Sequence, residues 1–143
     1  MQSIRWWRVL GGGFLAALVL VLVEGVASQV YLGELTRILA EHELDLGMDT
    51  RGTVAGLGMS FVAGCGTVWL YAAILPRYGA GIRPGLIAGL GMWVLWFVPS
   101  TVSWSVLGIL PGWMAAYELA VALVAIVIAA LVGAWVYREP DAP

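Results

Sequence analysis

Two glutamates stand where an acid is costly. Glu24 interrupts the apolar stretch 9–33, and Glu118 is the one charged residue between Pro84 and Tyr137. A charged side chain near the centre of a bilayer costs at least about 2.5–3.5 kcal/mol on insertion scales, so an ionisable group there marks a site by default. Two carboxylates in one low-dielectric pocket cannot both stay ionised cheaply; they share a proton, or a cation sits between them. The chemistry on offer is therefore the binding of a proton, a cation or the positive end of a small molecule. The same two groups would serve a lipid-directed enzyme as general acid and base. The structural alternative has each acid protonated, bonded to a serine or a backbone carbonyl, and fixing the register of its helix.

Other residues offer less. His42 stands beside Glu41, Glu43 and Asp45, but one histidine among solvated acids is the pattern of a wet helix face, not of a metal site. Cys65 is a small apolar packer, and no second cysteine exists for a disulfide or a thiolate cluster. Met48, Met59, Met92 and Met114 are not clustered as copper ligands would be. Trp93, Trp96, Phe97 and Trp104 can stack on an apolar ligand, although rings so placed more often meet core or lipid. No nucleophile–base pair, phosphate loop or HExxH motif occurs. Neither a cofactor nor a metal is expected.

The elements that would position the acids follow from composition. Of 143 residues, 62% are hydrophobic and 11% charged, against about 45–50% and about 25% in soluble domains. A chain of this length cannot hide eight tryptophans and so much apolar surface from water. A pI near 5.2 and the absence of lysine leave no basic footprint for nucleic acid. A soluble enzyme and a disordered tail are excluded as well, and the bilayer becomes the expected partner.

A spanning helix needs roughly 20 mainly apolar residues. The charge-free runs predict four spans in a single integral membrane domain, 1–143: the first at about 9–32, the second at 53–75, the third at 84–107 and the fourth at 112–137. Gly108-Ile109-Leu110-Pro111-Gly112 separates the last two. The runs are continuous rather than alternating, which excludes a β-barrel. Arg5, Arg8 and the small residues Gly25-Val26-Ala27 have the layout of a signal peptide, but the apolar run continues to Leu32 and reads as a retained helix. Arg5, Arg8, Arg77, Arg83 and Arg138 fall on one side, Arg37 and Arg51 on the other, which predicts both termini in the cytoplasm. Trp6, Trp7, Trp69, Tyr71, Tyr78, Trp113, Trp135 and Tyr137 near the span ends fit interfacial belts.

Between the first two spans, Leu35, Ile38, Leu39, His42 and Leu46 recur at helical spacing, which predicts a short amphipathic outer helix over 33–46. Gly47 suits its stop, and Asp49 or Thr50 can cap the next helix. Each span carries a small-residue stripe: Gly13, Ala17, Glu24 and Ser28 on the first; Gly52, Gly56, Ser60 and Gly64 on the second; Gly85 and Gly89 on the third. Glu118, Ala122, Ala125, Ala129 and Gly133 form that of the fourth. In lipid such stripes let backbones approach closely, so both acids should face the bundle interior. Counted from the outer ends, Glu24 and Glu118 lie at depths of about 12 and 9 Å. Ser60 and Ser100 enter the same layer, and Pro99 adds an unsatisfied carbonyl at Leu95. The expected site is Glu24 and Glu118 with Ser28, Ser60 and Ser100, in a vestibule closed toward the cytoplasm.

Three segments carry a family resemblance: Glu24-Gly25 before the outer helix, Trp69-Leu70-Tyr71-Ala72-Ala73 through Pro76-Arg77-Tyr78-Gly79-Ala80-Gly81, and Gly133-Ala134-Trp135-Val136-Tyr137-Arg138-Glu139. On these the chain resembles small bacterial four-helix integral membrane proteins with no assigned activity. The resemblance implies a bundle in the bacterial inner membrane and brings no chemistry. The layout is also similar to that of small multidrug-resistance transporters, from which the long acidic outer loop and the second glutamate depart. The GxxxG faces offer the binding bundle a route to a homo-oligomer, and an accessory subunit docked to a larger membrane complex through the Trp-rich third span is the alternative to a binding protein.

Overall fold

Within lipid every backbone amide must find its partner inside the chain, which leaves helices as the solution for long charge-free runs. The computed structural model describes residues 4–44 and 49–137 and is all-helical, with no strand among the described residues. Helix α1 (Trp6–Ser28) is followed by α2 (Leu32–Glu41), α3 (Thr50–Tyr78), α4 (Ile82–Met92), a π-helical segment (Trp93–Phe97), α5 (Val98–Val106) and α6 (Gly112–Tyr137). Among the described residues, four helices are long and apolar enough to cross a membrane: α1, α3, α6, and α4 with the π segment and α5 as one continuous rod. Residues Asp45, Leu46, Gly47, Met48, Arg138 and Glu139, which entered the sequence arguments, lie outside the described residues.

The ends of the helices have local causes. Helix α1 stops at Ser28, four residues short of the expected Leu32, because Ser28 Oγ and Gln29 Nε2 both donate to the Gly25 carbonyl, at 3.0 and 3.2 Å. Side-chain competition of this kind favours a turn over continued helix, and tight i→i+3 bonds carry the chain through Gln29–Tyr31. Helix α3 opens on Asp49, whose Oδ1 accepts from Gly52 N at 2.8 Å. It runs through Pro76 and ends at Gly79, whose φ of 71° is a backbone state that favours glycine.

The third span departs from a plain α-helix. Pro99 cannot donate to Leu95, and the helix ahead of it widens into the π segment, where Val98 N bonds to Trp93 O. One extra residue is taken up there, so later residues are turned by about 100° relative to an uninterrupted helix. Thr101 takes the inward position that Ser100 would have had; Thr101 is buried and Ser100 is exposed.

Helices α1, α3 and α6 meet near the end of the bundle that carries both chain termini. A Cβ on Gly64 would run into Gly13 O and lie 2.8 Å from Ala17 N, while one on Gly13 would lie 2.7 Å from Cys65 Cα. A Cβ on Gly12 would come within 2.9 Å of Gly133 O. These helices therefore touch backbone to backbone. Helix α4 leans on α6 through Gly85 and Gly89, which abut Leu131 and Ala130. Around the crossing lie the fully buried Val9, Leu20, Val68, Tyr71 and Ile126. Tyr71 and Tyr137 were expected in an interfacial belt; instead they stack edge-to-face at 6.1 Å within this core, because both fall on inward helix faces. Arg5 N donates to Tyr137 OH and Arg8 Nη1 to Tyr137 O, at 3.3 and 3.2 Å, tying the start of α1 to the end of α6.

Away from this crossing the helices part. Residues Thr53 to Met59 of α3 are all exposed, and neither Gly56 nor Gly58 has a neighbour within 4 Å of where a Cβ would stand. At this end α2 presses Ile38 and Leu39 against Ile109, Leu110 and Met114 of the turn into α6. The packing gives a direct expectation. Gly64→Ala should lower bundle stability in detergent by about 1–3 kcal/mol through overpacking, whereas Gly58→Ala, in open space on the same helix, should be neutral or stabilising by up to about 1 kcal/mol. Thermal unfolding of the two variants side by side checks this.

Candidate functional site

The parting of the helices leaves a cavity of about 500 Å³ at the α2 end. Three helices give it faces that repeat with helical spacing. Helix α1 contributes Val21, Glu24 and Ser28, continued by Tyr31 in the turn; α3 contributes Thr53, Gly56, Leu57 and Ser60; α6 contributes Tyr117, Glu118 and Val121. Phe97 closes the wall from the π segment. Glu24 and Glu118 thus share one enclosure. Because α1 ends early, Glu24 lies only four residues from its last residue, at a depth of about 6 Å, shallower than the sequence predicts. Of the expected hydroxyls, Ser28 and Ser60 are on the wall. Ser100 is not, for the reason given by the π segment.

The hydrogen bonds decide what the cavity can offer. Ser28 Oγ donates to Gly25 O at 3.0 Å, Thr53 Oγ1 to Asp49 O at 2.9 Å and Ser60 Oγ to Gly56 O at 3.1 Å. Tyr117 OH donates to Ala27 O at 3.2 Å, bridging α6 to α1. Each of these hydroxyls has spent its one proton on a backbone carbonyl and keeps only lone pairs for anything else. No arginine, lysine or histidine is among the lining residues. Glu24 Oε1 is buried and has no hydrogen-bond partner among the described residues. The wall is thus rich in acceptors and poor in donors, and the serines are not bonded to the acids.

Aromatic rings complete the enclosure. Tyr31 and Tyr117 meet edge-to-face with centroids 5.9 Å apart and planes at 79°. The Tyr31 phenol, outside the spans, is pushed up to about 12, first by burial and then by the charges of Glu118 and Glu24, with Tyr117 last. One hydroxyl therefore feels both carboxylates. Trp93 Nε1 donates to Leu119 O at 2.9 Å, which fastens the π segment to α6 beside Glu118.

Sequence reasoning missed Tyr31, Tyr117, Thr53 and Phe97 as wall residues. The signal for Tyr31 and Thr53 was periodicity, since Tyr31 is seven residues beyond Glu24 and Thr53 seven before Ser60, whereas Tyr117 merely adjoins Glu118. Phe97 had no such signal, since its direction depends on the π turn. His42 binds back to Ile38 O through Nδ1 at 2.8 Å, and no group of three or more His, Cys, Asp or Glu is gathered among the described residues.

No protein-family model matches the chain, and neither the curated proteins nor the solved structures searched contain a match to it. The site must be read from its own geometry.

The position of Tyr31 has a measurable consequence. A phenolate is anionic, so nearby carboxylate charge raises its pKa, and removing that charge lowers it. In Glu118→Gln the Tyr31 pKa should fall from about 12 yet stay above the ordinary 10, because burial, the larger cause, remains. Fluorotyrosine placed at position 31 and followed by fluorine NMR, in the parent and in Glu118→Gln, reads the direction; no change would place Glu118 out of reach.

Proposed function

We propose that the chain is a non-enzymatic, multi-pass protein of the bacterial inner membrane, with both termini in the cytoplasm, that binds a cation between Glu24 and Glu118. The observation that carries this reading is the donor-poor wall. Ser28, Thr53, Ser60 and Tyr117 have no proton left for a ligand, and two carboxylates face them with no basic residue among the described residues of the wall. An anion would find the Tyr31 hydroxyl alone, with two carboxylates against it, and a neutral amide would find only half of its needs met. A proton or a cation supplies what is missing. In this orientation the cavity opens to the outside and α2 lies amphipathically over the outer surface. The tight glycine crossing then stands between cavity and cytoplasm, an arrangement of binding, or of one step of transport, rather than of an open pore.

An accessory subunit is the second reading, favoured by the uncovered stretch Thr53–Met59 of α3, a face on which a partner helix or a second copy could pack.

The two separate on one measurement. In nonionic detergent, the melting temperature of the parent should rise with sodium or tetramethylammonium, and should shift with pH between 5 and 9. Lowering the pH should weaken the response to added cation, since protons compete for the same carboxylates. Both dependences should vanish in the double variant Glu24→Gln/Glu118→Gln. A parent that responds no differently from the double variant would overturn the cation reading, and co-purification of a stable partner with both would favour the subunit.

A further inference from the structure

The cavity is also open on one flank, and its contents specify a class of cation. Helix α3 packs on α1, α4 and α6, whereas the π segment and α5 pack on α6. The turns of α3 that face the cavity, Thr53 to Met59, are exposed throughout, and Leu57, a wall residue, is 51% exposed. Opposite them Phe97 lines the cavity, with the exposed Val94 and Leu95 in the same π segment. The flank between α3 and the π segment is therefore bordered by Leu57 on one side and Phe97 on the other, both apolar. Helix α3 has 29 residues, a length of about 44 Å, against a hydrocarbon core of about 30 Å. Leu57 and Ser60, seven and ten residues in from Thr50, fall at depths that acyl chains reach.

An organic cation fits this enclosure better than a bare metal ion. Its volume of about 500 Å³ lies in the range of organic-ligand pockets, and no group of three or more His, Cys, Asp or Glu is gathered among the described residues to cage a small ion. Three rings, Tyr31, Tyr117 and Phe97, line it instead. Aromatic faces attract ammonium groups, and quaternary ammonium ligands above all, because their quadrupole binds a cation that cannot be satisfied by hydrogen bonds.

We propose that the cation is an amphiphilic ammonium compound, entering from the bilayer between α3 and the π segment, with its charged head held by Glu24, Glu118 and the three rings and its chain left among the lipids. This inference rests on the cation reading above and narrows it. One positive head and one retained proton neutralise the two carboxylates. The apolar rim lets the chain stay in hydrocarbon while the head is bound.

The test compares three probes on the purified protein in maltoside micelles: dodecyltrimethylammonium, tetramethylammonium and dodecanol, each titrated by calorimetry at fixed detergent. Dodecyltrimethylammonium should bind at least tenfold more tightly than tetramethylammonium, and Glu24→Gln/Glu118→Gln should abolish binding of both. Dodecanol should not discriminate parent from double variant. Leu57→Trp, at an exposed position where folding is safe, should narrow the flank and weaken the dodecyl compound severalfold more than tetramethylammonium. Equal glutamate-dependent affinity for the two ammonium probes would overturn the amphiphile and leave the cation reading standing. Loss of all glutamate dependence, together with a melting temperature indifferent to pH and sodium, would overturn both. Glutamate-independent binding of the dodecyl compound, matched by dodecanol, would reduce the cavity to an apolar cleft.

Discussion

Contact without side chains holds this bundle together. Gly12, Gly13, Gly64 and Gly133 bring the backbones of α1, α3 and α6 within reach of one another, at distances where a single added methyl would collide with main chain. Lipid tails give apolar helices little reason to prefer one another, so dense packing of this kind supplies much of the cohesion. It also fixes the geometry elsewhere. Straight helices pinned tightly near one end must diverge toward the other, and the enclosure around Glu24 and Glu118 is the space so created. The polar site and the glycine crossing are two ends of one constraint.

Polarity is distributed to match. At the pinned end the core is hydrocarbon with tyrosine; Tyr71 and Tyr137 meet there, and Thr67 satisfies its hydroxyl on Ala63 O at 2.7 Å. At the divergent end the serine and threonine hydroxyls of the wall are likewise turned back onto their own helices, while Tyr117 reaches across to α1. This habit of bonding to a carbonyl three or four residues earlier lets serine and threonine sit within apolar spans at little cost. Its corollary is chemical: the wall loses its donors and keeps its acceptors, and the carboxylates set the sign of the enclosure.

Much of this was legible in the chain. Charge-free runs of spanning length marked the four helices long and apolar enough to cross a membrane, because hydrocarbon thickness imposes a length that few other structures need. The small-residue stripes pointed to inward faces, and that was enough to bring Glu24, Glu118, Ser28 and Ser60 to one wall. The legible part stops at two local events. Helix α1 ends early because Ser28 and Gln29 compete for the Gly25 carbonyl, a contest between side chain and backbone that hydropathy does not register. The third span absorbs Pro99 by widening, and a pattern read at a constant 3.6 residues per turn assigns Ser100 to the interior and leaves Phe97 without a direction. Tyr31 was readable by spacing but had been assigned no place in the site, since the rings weighed for ligand stacking were those of the third span alone.

The widened turn bears on how the bundle tolerates change in length. It carries one surplus residue between Trp93 and Phe97, held by the Val98 to Trp93 bond. Removal of a single residue there would restore regular winding yet leave Thr101 and the residues after it where they now stand, because one residue fewer and one tighter turn cancel. Descendants of this chain that lack one codon in that stretch would thus keep all four spans, both acids and the inward threonine, the change being confined to the turn itself.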